Sequence, residues 1–139
     1  MIMKANFYTL AFFFATLILF SGCEKEEEKN VPVLTTNDVT QITQTTATSG
    51  GNITADGGAT ITTRGVCWST NQNPTINDNK TENGGGAGSF TTNISGLESN
   101  TIYYLRAYAT NSVGTGYGDA KTFTTLEVAT IPALTTTVV

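Results

Sequence analysis

The chain has 139 residues, with 7 Lys and Arg against 11 Asp and Glu, no His, and a formal net charge of -4. That length gives room for one domain with appendages. The acidic balance carries no basic footprint for nucleic acid. Abundant Thr together with 14 Gly speaks against a helical protein, because β-branched side chains favour pleated surfaces and Gly weakens helices.

Lys4 precedes an apolar run from Phe7 to Phe20, followed by Ser21, Gly22 and Cys23. A basic start, a short apolar stretch and small residues before a cleavage point predict a secretory signal over residues 1–22. The run falls short of the roughly 20 residues that cross a bilayer comfortably. Leu19-Phe20-Ser21-Gly22-Cys23 resembles a bacterial lipobox, which implies that Cys23 is lipidated, becomes the first mature residue and attaches the chain to a membrane. With Cys23 acylated, Cys67 has no partner, and no intrachain disulfide is expected. Residues 23–30 hold Glu24-Lys-Glu-Glu-Glu-Lys-Asn30, a charged run with nothing to bury, which predicts a solvated tether. An acidic run placed directly after such a cysteine resembles the surface-export signal of Bacteroidetes lipoproteins. The resemblance implies an outer-membrane protein exposed on the cell surface.

Val31-Pro32-Val33-Leu34-Thr35-Thr36 opens the folded part, its Pro suited to an edge strand. Thr46 to Ile53 reads as a second strand, and Asp56-Gly57-Gly58 as a tight hairpin turn. Thr60 to Ser69 reads as the next strand. Placing Ile61 inside and Arg64 outside puts Cys67 in the core and Trp68 on the surface, unless a bulge at Gly65 reverses that pair. Asn71 to Pro74 and Asn77 to Gly88 are loop material. In Ser89 to Ile94, alternation turns Phe90, Thr92 and Ile94 inward. Leu97 to Asn111 holds the central strand, with Tyr103, Leu105, Ala107 and Ala109 on one face and Tyr104, Arg106 and Tyr108 on the other. A glycine-laced hairpin from Asn111 to Gly118 leads into a last strand, Asp119 to Thr125. There Phe123 faces in, and Lys121 must reach past the sheet end to keep its ammonium in water. Seven short strands across residues 31–125 predict an all-β sandwich large enough to fold without disulfides.

A Leu, a polar turn and then Thr-x-Tyr, here Leu97 to Tyr103, resembles the start of strand F in fibronectin type III and other immunoglobulin-like domains. The resemblance implies a seven-stranded, immunoglobulin-like fold with Tyr103 as a tyrosine corner and Leu97 as the plug beneath it. Arg64-Gly-Val-Cys-Trp-Ser-Thr70, Asn73-Pro-Thr75, Gly96-Leu97 and Tyr103 to Asn111 are similar to fibronectin type III-like repeats of Bacteroidetes surface lipoproteins. In those proteins such units stand in tandem between a lipid anchor and a distal domain. The implied role is a non-catalytic, lipid-anchored spacer. Ile131-Pro-Ala-Leu-Thr-Thr136 echoes Val31 to Thr36 one hundred residues later. Residues 126–139 are therefore expected to be a linker and the start of a second, truncated repeat.

Chemistry is hard to find. Zinc and nucleophile-base sites usually draw on His or Cys, and here His is absent and Cys67 stands alone. The carboxylates beyond the tether are scattered over turns. Asn77-Asp78-Asn79 lacks the pattern of a calcium loop. Gly84 to Gly88 leads into a strand with no following Lys-Ser/Thr, unlike a phosphate cradle. No catalytic residue, metal, cofactor or nucleic-acid partner is expected. The candidate binding face is the stripe Tyr104, Arg106 and Tyr108, extended by Trp68, Val66 and Arg64. The Gly114 to Tyr117 hairpin is a candidate binding loop. Flat rings flanking a guanidinium suit a structural ladder, or an extracellular glycan or protein partner.

Overall fold

Eight strands build the fold in the computed structural model, which describes residues 27–131. The expected signal sequence, the lipidated Cys23 and residues 132–139 lie outside the described residues. The strands are β1 (Val33–Thr36), β2 (Thr46–Ala55), β3 (Thr63–Ser69), β4 (Asn79–Lys80), β5 (Gly88–Ser95), β6 (Ile102–Thr110), β7 (Thr115–Tyr117) and β8 (Lys121–Thr124). No helix occurs among the described residues.

One sheet has the order β1-β2-β5; the other runs β4-β3-β6, with β7 and β8 following one another along the far edge of β6. β7 and β8 thus act as one strand interrupted at Gly118 to Ala120, and the layout has the seven positions of the predicted sandwich. All pairings are antiparallel. The inward faces meet as one core, to which Leu34, Ile53, Phe90 and Ile94 contribute from one sheet and Val66, Trp68, Leu105 and Phe123 from the other. Burying each such side chain stabilises the fold by roughly 1.5–3 kcal/mol. The inward sets predicted for β5 and β6 are the observed ones.

The turn at Asp56 to Gly58 is not a hairpin. Gly57 and Gly58 take φ of 72° and 75°, and Asp56 Oδ1 accepts from Gly58 N at 2.9 Å, so the local turn chemistry is as expected. Both edges of β2 are already occupied by β1 and β5, so the chain after the turn crosses to the other sheet.

The folded unit begins and ends at opposite poles. At the first, Asn30 N donates to Gly57 O at 2.8 Å, beyond the end of β2. At the second, Leu126 N donates to Thr43 O at 3.0 Å and Asn100 N to Leu126 O at 3.1 Å, before β2 and β6 begin. The ten residues of β2 separate these poles by roughly 30 Å.

Lys121 reaches past the sheet end to Asp38, Nζ to Oδ1 2.8 Å. The hydrogen bond and charge of Lys121 hold the Asp38 carboxyl below its usual 3.8, and Asp38 in turn holds the Lys121 ammonium above 10.5. The carboxylate side of the pair therefore adds stability above the unfolded value near 3.8 and loses it as pH falls through the depressed one. The ammonium side is fully present below 10.5 and is lost as pH rises through the raised value. A carboxyl-detected NMR titration should place the Asp38 midpoint below 3.8, and Lys121→Met should return it to the ordinary value. An unchanged midpoint in the variant would show that the pair does not persist in solution.

Candidate functional site

β6 places Tyr104, Arg106 and Tyr108 on the outer face of its sheet, as alternation requires. Across the ladder with β3 they stand opposite Ser69, Cys67 and Gly65. The neighbouring strand therefore brings a small hydroxyl, a thiol and a hydrogen to this face. It brings no indole.

Trp68 is turned the other way. It is only 8 % exposed and packs in the core beside Val66, opposite Leu105. The surface placement of Trp68, Val66 and Arg64 expected from alternation is corrected here. The β3–β6 register is regular through Gly65, so no bulge is responsible. Ile61 is buried in the lead-in before β3 starts at Thr63, and its phase does not carry into the strand. Arg64 faces inward because the sandwich is open at that edge. Its guanidinium lies 5.3 Å over the Phe90 ring, and Nη1 donates to Gly86 O and Ala87 O, both at 3.0 Å. The Gly84 to Gly88 segment thus offers two carbonyls to Nη1, while Arg64 Nε is buried without a partner.

Residues 70–84 cover the outer side of β3, residues 74–76 from above it and residues 79–84 from alongside, as a continuation of the sheet edge. Pro74 is fully buried, and β4 pairs with the end of β3. Three backbone bonds tie the following residues to β3: Thr81 N to Val66 O at 2.9 Å, Asn83 N to Arg64 O at 2.7 Å, and Arg64 N to Gly84 O at 2.8 Å. Beneath this roof, Tyr108 is 2 % exposed and its hydroxyl donates to Thr81 O at 2.7 Å. Burial, with the charge of Glu82, pushes that hydroxyl up to about 12. Cys67 Sγ faces the carbonyls of Pro74 at 3.5 Å and Arg106 at 3.6 Å, and burial pushes the thiol up to about 11. Tyr108 is thus a pillar under the roof, not part of a solvent stripe. Cys67 is buried as predicted, but on the outer side of the sheet.

Arg106 lies half-buried with its guanidinium 4.5 Å from the Tyr117 ring centre, and its Nε donates to Gly118 O at 3.0 Å. Tyr117 Oη accepts from Ile76 N at 3.2 Å. Arg106 and Tyr117 thereby join the hairpin to the roof. Tyr104 keeps a half-open ring on this face, on the same side of β6 as exposed Ile102.

The hairpin carrying Gly114 works as a latch on the incoming chain. Asn111 is 5 % exposed and uses its whole side chain. Nδ2 donates to Asn30 O at 2.7 Å and Asp56 O at 2.8 Å, while Oδ1 accepts from Val113 N at 2.9 Å and Gly114 N at 3.1 Å. Sequence reading passes over Asn111, since an Asn before Ser and Gly signals a turn whether or not it is buried. At the opposite pole Tyr103 is 6 % exposed, stacks on Phe123 with ring centres 5.7 Å apart, and accepts a bond from Glu98 N at 3.0 Å through Oη, above the buried Leu97. Tyr103→Phe should lower the unfolding free energy by about 1 kcal/mol in urea titration with an unchanged spectrum. No loss at all would mean that water replaces the tyrosine hydroxyl without penalty.

Among the described residues no cluster of three or more Cys, Asp or Glu could hold a metal ion. A groove of about 340 Å³ opens beside β2 and β5, with Gln41, Thr43, Thr48 and Asn93 on its walls beside Ala47 and Ile94. Thr48 Oγ1 already serves Gln41 Oε1 at 3.1 Å and Asn93 Oδ1 at 3.0 Å, so its walls are bonded to one another.

No family model matches the sequence, and no curated protein does. Solved structures do match. The sensor domain of the anti-sigma factor RsgI4 of Pseudobacteroides cellulosolvens is 17% identical with a TM-score of 0.53, the match covering 71% of this chain and 98% of that one. The FN3 domain of human collagen XX is 18% identical with a TM-score of 0.53, over 70% of this chain and 94% of that one. The FN1–FN3 domains of chicken CNTN1 are 14% identical with a TM-score of 0.53, over 71% of this chain and 33% of that one. At such identities the likeness is one of fold: the chain is an all-β, immunoglobulin-like sandwich of the fibronectin type III kind.

Proposed function

We propose that this chain is a non-catalytic, lipid-anchored cell-surface module that holds a more distal part of its protein away from the membrane. The observation that carries this reading is the placement of Asn30 and Leu126 at opposite poles of the sandwich. A unit built so adds its full length to any chain threaded through it. The lipobox resemblance at Leu19 to Cys23, the acidic residues 24–28 and the similarity to repeats of Bacteroidetes surface lipoproteins support the anchor and the outer-membrane location. The outer sheet face is spent on its own roof, which favours a spacer over a glycan platform. A chain in which residues 27–131 occur twice in succession should gain roughly 30–40 Å in longest dimension by small-angle scattering. Cys23→Ser should move the protein from the membrane fraction to the soluble one. A doubled chain no longer than the single one, or a Cys23→Ser protein that stays with the membrane, would sink the proposal.

Exposed Ile102 beside the half-open Tyr104 supports a second reading, adhesion to an extracellular glycan or protein through what remains of the face. A glycan-array signal that disappears in a folded Tyr104→Ala variant would favour it. A signal indifferent to that change would end it.

A further inference from the structure

Most of the sheet edges in this sandwich are blunted against pairing with another chain. β1 is four residues long, follows Pro32 and shifts register between Val33 and Leu34. β4 has two residues, one of them Lys80. The far edge of β6 is divided between β7 and β8, and β8 opens on Lys121. Short strands, Pro, Lys and irregular register are the usual protections of an edge. β5 has none of them. From Gly88 to Ser95 it runs for eight residues, in regular register with β2, without a charge or a proline.

The ladder fixes which groups β5 leaves open. Asn37 N donates to Gly50 O, and Thr40 and Thr48 exchange both of their backbone bonds, so Thr48 and Gly50 aim their backbone groups away from β5. Ala47, Ser49 and Gly51 therefore serve β5, through Ile94, Thr92 and Phe90. Ser89, Thr91, Asn93 and Ser95 turn their N–H and C=O groups to the other side, where among the described residues no strand pairs with them.

We propose that β5 pairs with β5 of a second copy of this chain, antiparallel about a two-fold axis at Thr92, joining two three-stranded sheets into one of six strands. This register faces Ser89 with Ser95 of the other copy and Thr91 with Asn93 of the other copy, and it engages all four open residues at once. A second copy is the partner that suits the strand. The open residues supply donors and acceptors in equal number, every side chain brought face to face is neutral, and the two-fold repeats each bond. A charged peptide finds no counter-charge along β5. Main-chain bonds carry the contact. An edge of eight residues is roughly 26 Å long and buries well under the ~1,200 Å² of a standard interface, so the dimer is weak and transient. This goes beyond the spacer reading and does not depend on the anchor.

The test is amide hydrogen exchange on the mature full chain in unacylated form, at about 0.02 mM and about 1 mM. The amides of Thr91 and Asn93 should exchange at least about fivefold more slowly at the higher concentration, while those of Phe90, Thr92 and Ile94, already bonded to β2, stay slow at both. Thr91→Lys and Asn93→Glu change exposed side chains, so each should keep the wild-type circular dichroism. Each alone should lose the concentration dependence, because the two-fold sets like charges diagonally across the ladder. Mixing the two variants should restore it, since the new ammonium of one copy then faces the new carboxylate of the other. Thr91 and Asn93 amides that exchange at the same rate at both concentrations, whether fast or slow, would overturn the proposal. Concentration-dependent protection on β8 instead of β5, or association that Thr91→Lys leaves at the wild-type level, would do so as well. Should either variant misfold, the wild-type measurement still decides.

Discussion

Trp68→Ala should lower the unfolding free energy by about 3–5 kcal/mol, while Tyr104→Ala, which starts a little further along the same ladder, should change it by no more than about 1 kcal/mol. The two rings stand on opposite faces of one sheet. Trp68 is 8 % exposed within the core cluster, so its removal leaves a cavity between the sheets as well as lost burial. Tyr104 is half-exposed on the outer face. A domain of this kind holds about 5–15 kcal/mol in all, so the tryptophan variant should be close to unfolding at room temperature. Urea titration followed by circular dichroism measures both. Wild type offers a further check, since Trp68 is the one tryptophan of the chain and its emission reports this site alone. Equal, small losses in both variants would place Trp68 on the surface and invert the phase of β3.

Gly65→Ala should cost about 2–3 kcal/mol and expose the thiol of Cys67. A Cβ at Gly65 would run into the carbonyl of Thr81 and would stand 3.0 Å from the Tyr108 ring. The colliding atom is backbone of the roof, which is bonded to β3 on both sides of the clash. The roof must lift, because β3 and β6 are fixed by their ladder. Cys67 in the wild type should react with a thiol reagent only through rare opening, since burial pushes its pKa to about 11 and the thiolate is the reactive form. If the substitution destabilises the roof locally by about 2 kcal/mol, the modification rate should rise about 30-fold. Stability falling while thiol reactivity stays at the wild-type rate would mean that the damage lies elsewhere and that residues 70–84 do not act as a cover.

Much of the sandwich is legible in the sequence because its strands obey a period of two. Phe90, Thr92 and Ile94, and Tyr103, Leu105, Ala107 and Ala109, announce their faces without help. Each set sits in a strand whose alternation is unbroken, and one face of each is the core. The candidate face is less legible. The stripe Tyr104, Arg106 and Tyr108 does share a side, but alternation says only which side chains point away from the core, not whether something else lies on top of them. In this chain a loop does, and it turns Tyr108 and Cys67 into a second, smaller interior.

β3 shows why phase can be lost. An inward residue in a lead-in segment, Ile61, does not set the register of the strand that follows, and a charged residue is a poor marker of the outside when it stands near an open edge. Arg64 places Nη1 on two carbonyls and its guanidinium over a ring while its stem lies inward and its Nε is buried without a partner. Asn111 makes the same point for polar residues, since two of its four bonds reach Asn30 and Asp56, far away in sequence. The amino-acid sequence by itself determines the all-β class, the positions of the longer strands and the inward sets of β5 and β6, because these depend on local periodicity and turn chemistry, while β4 and β7 lie in segments that read as loop and hairpin. Only the tertiary structure decides which face of β3 is buried, what covers the outer sheet and which pole each chain end leaves from. Those follow from contacts between segments far apart in the chain, and no local pattern encodes them.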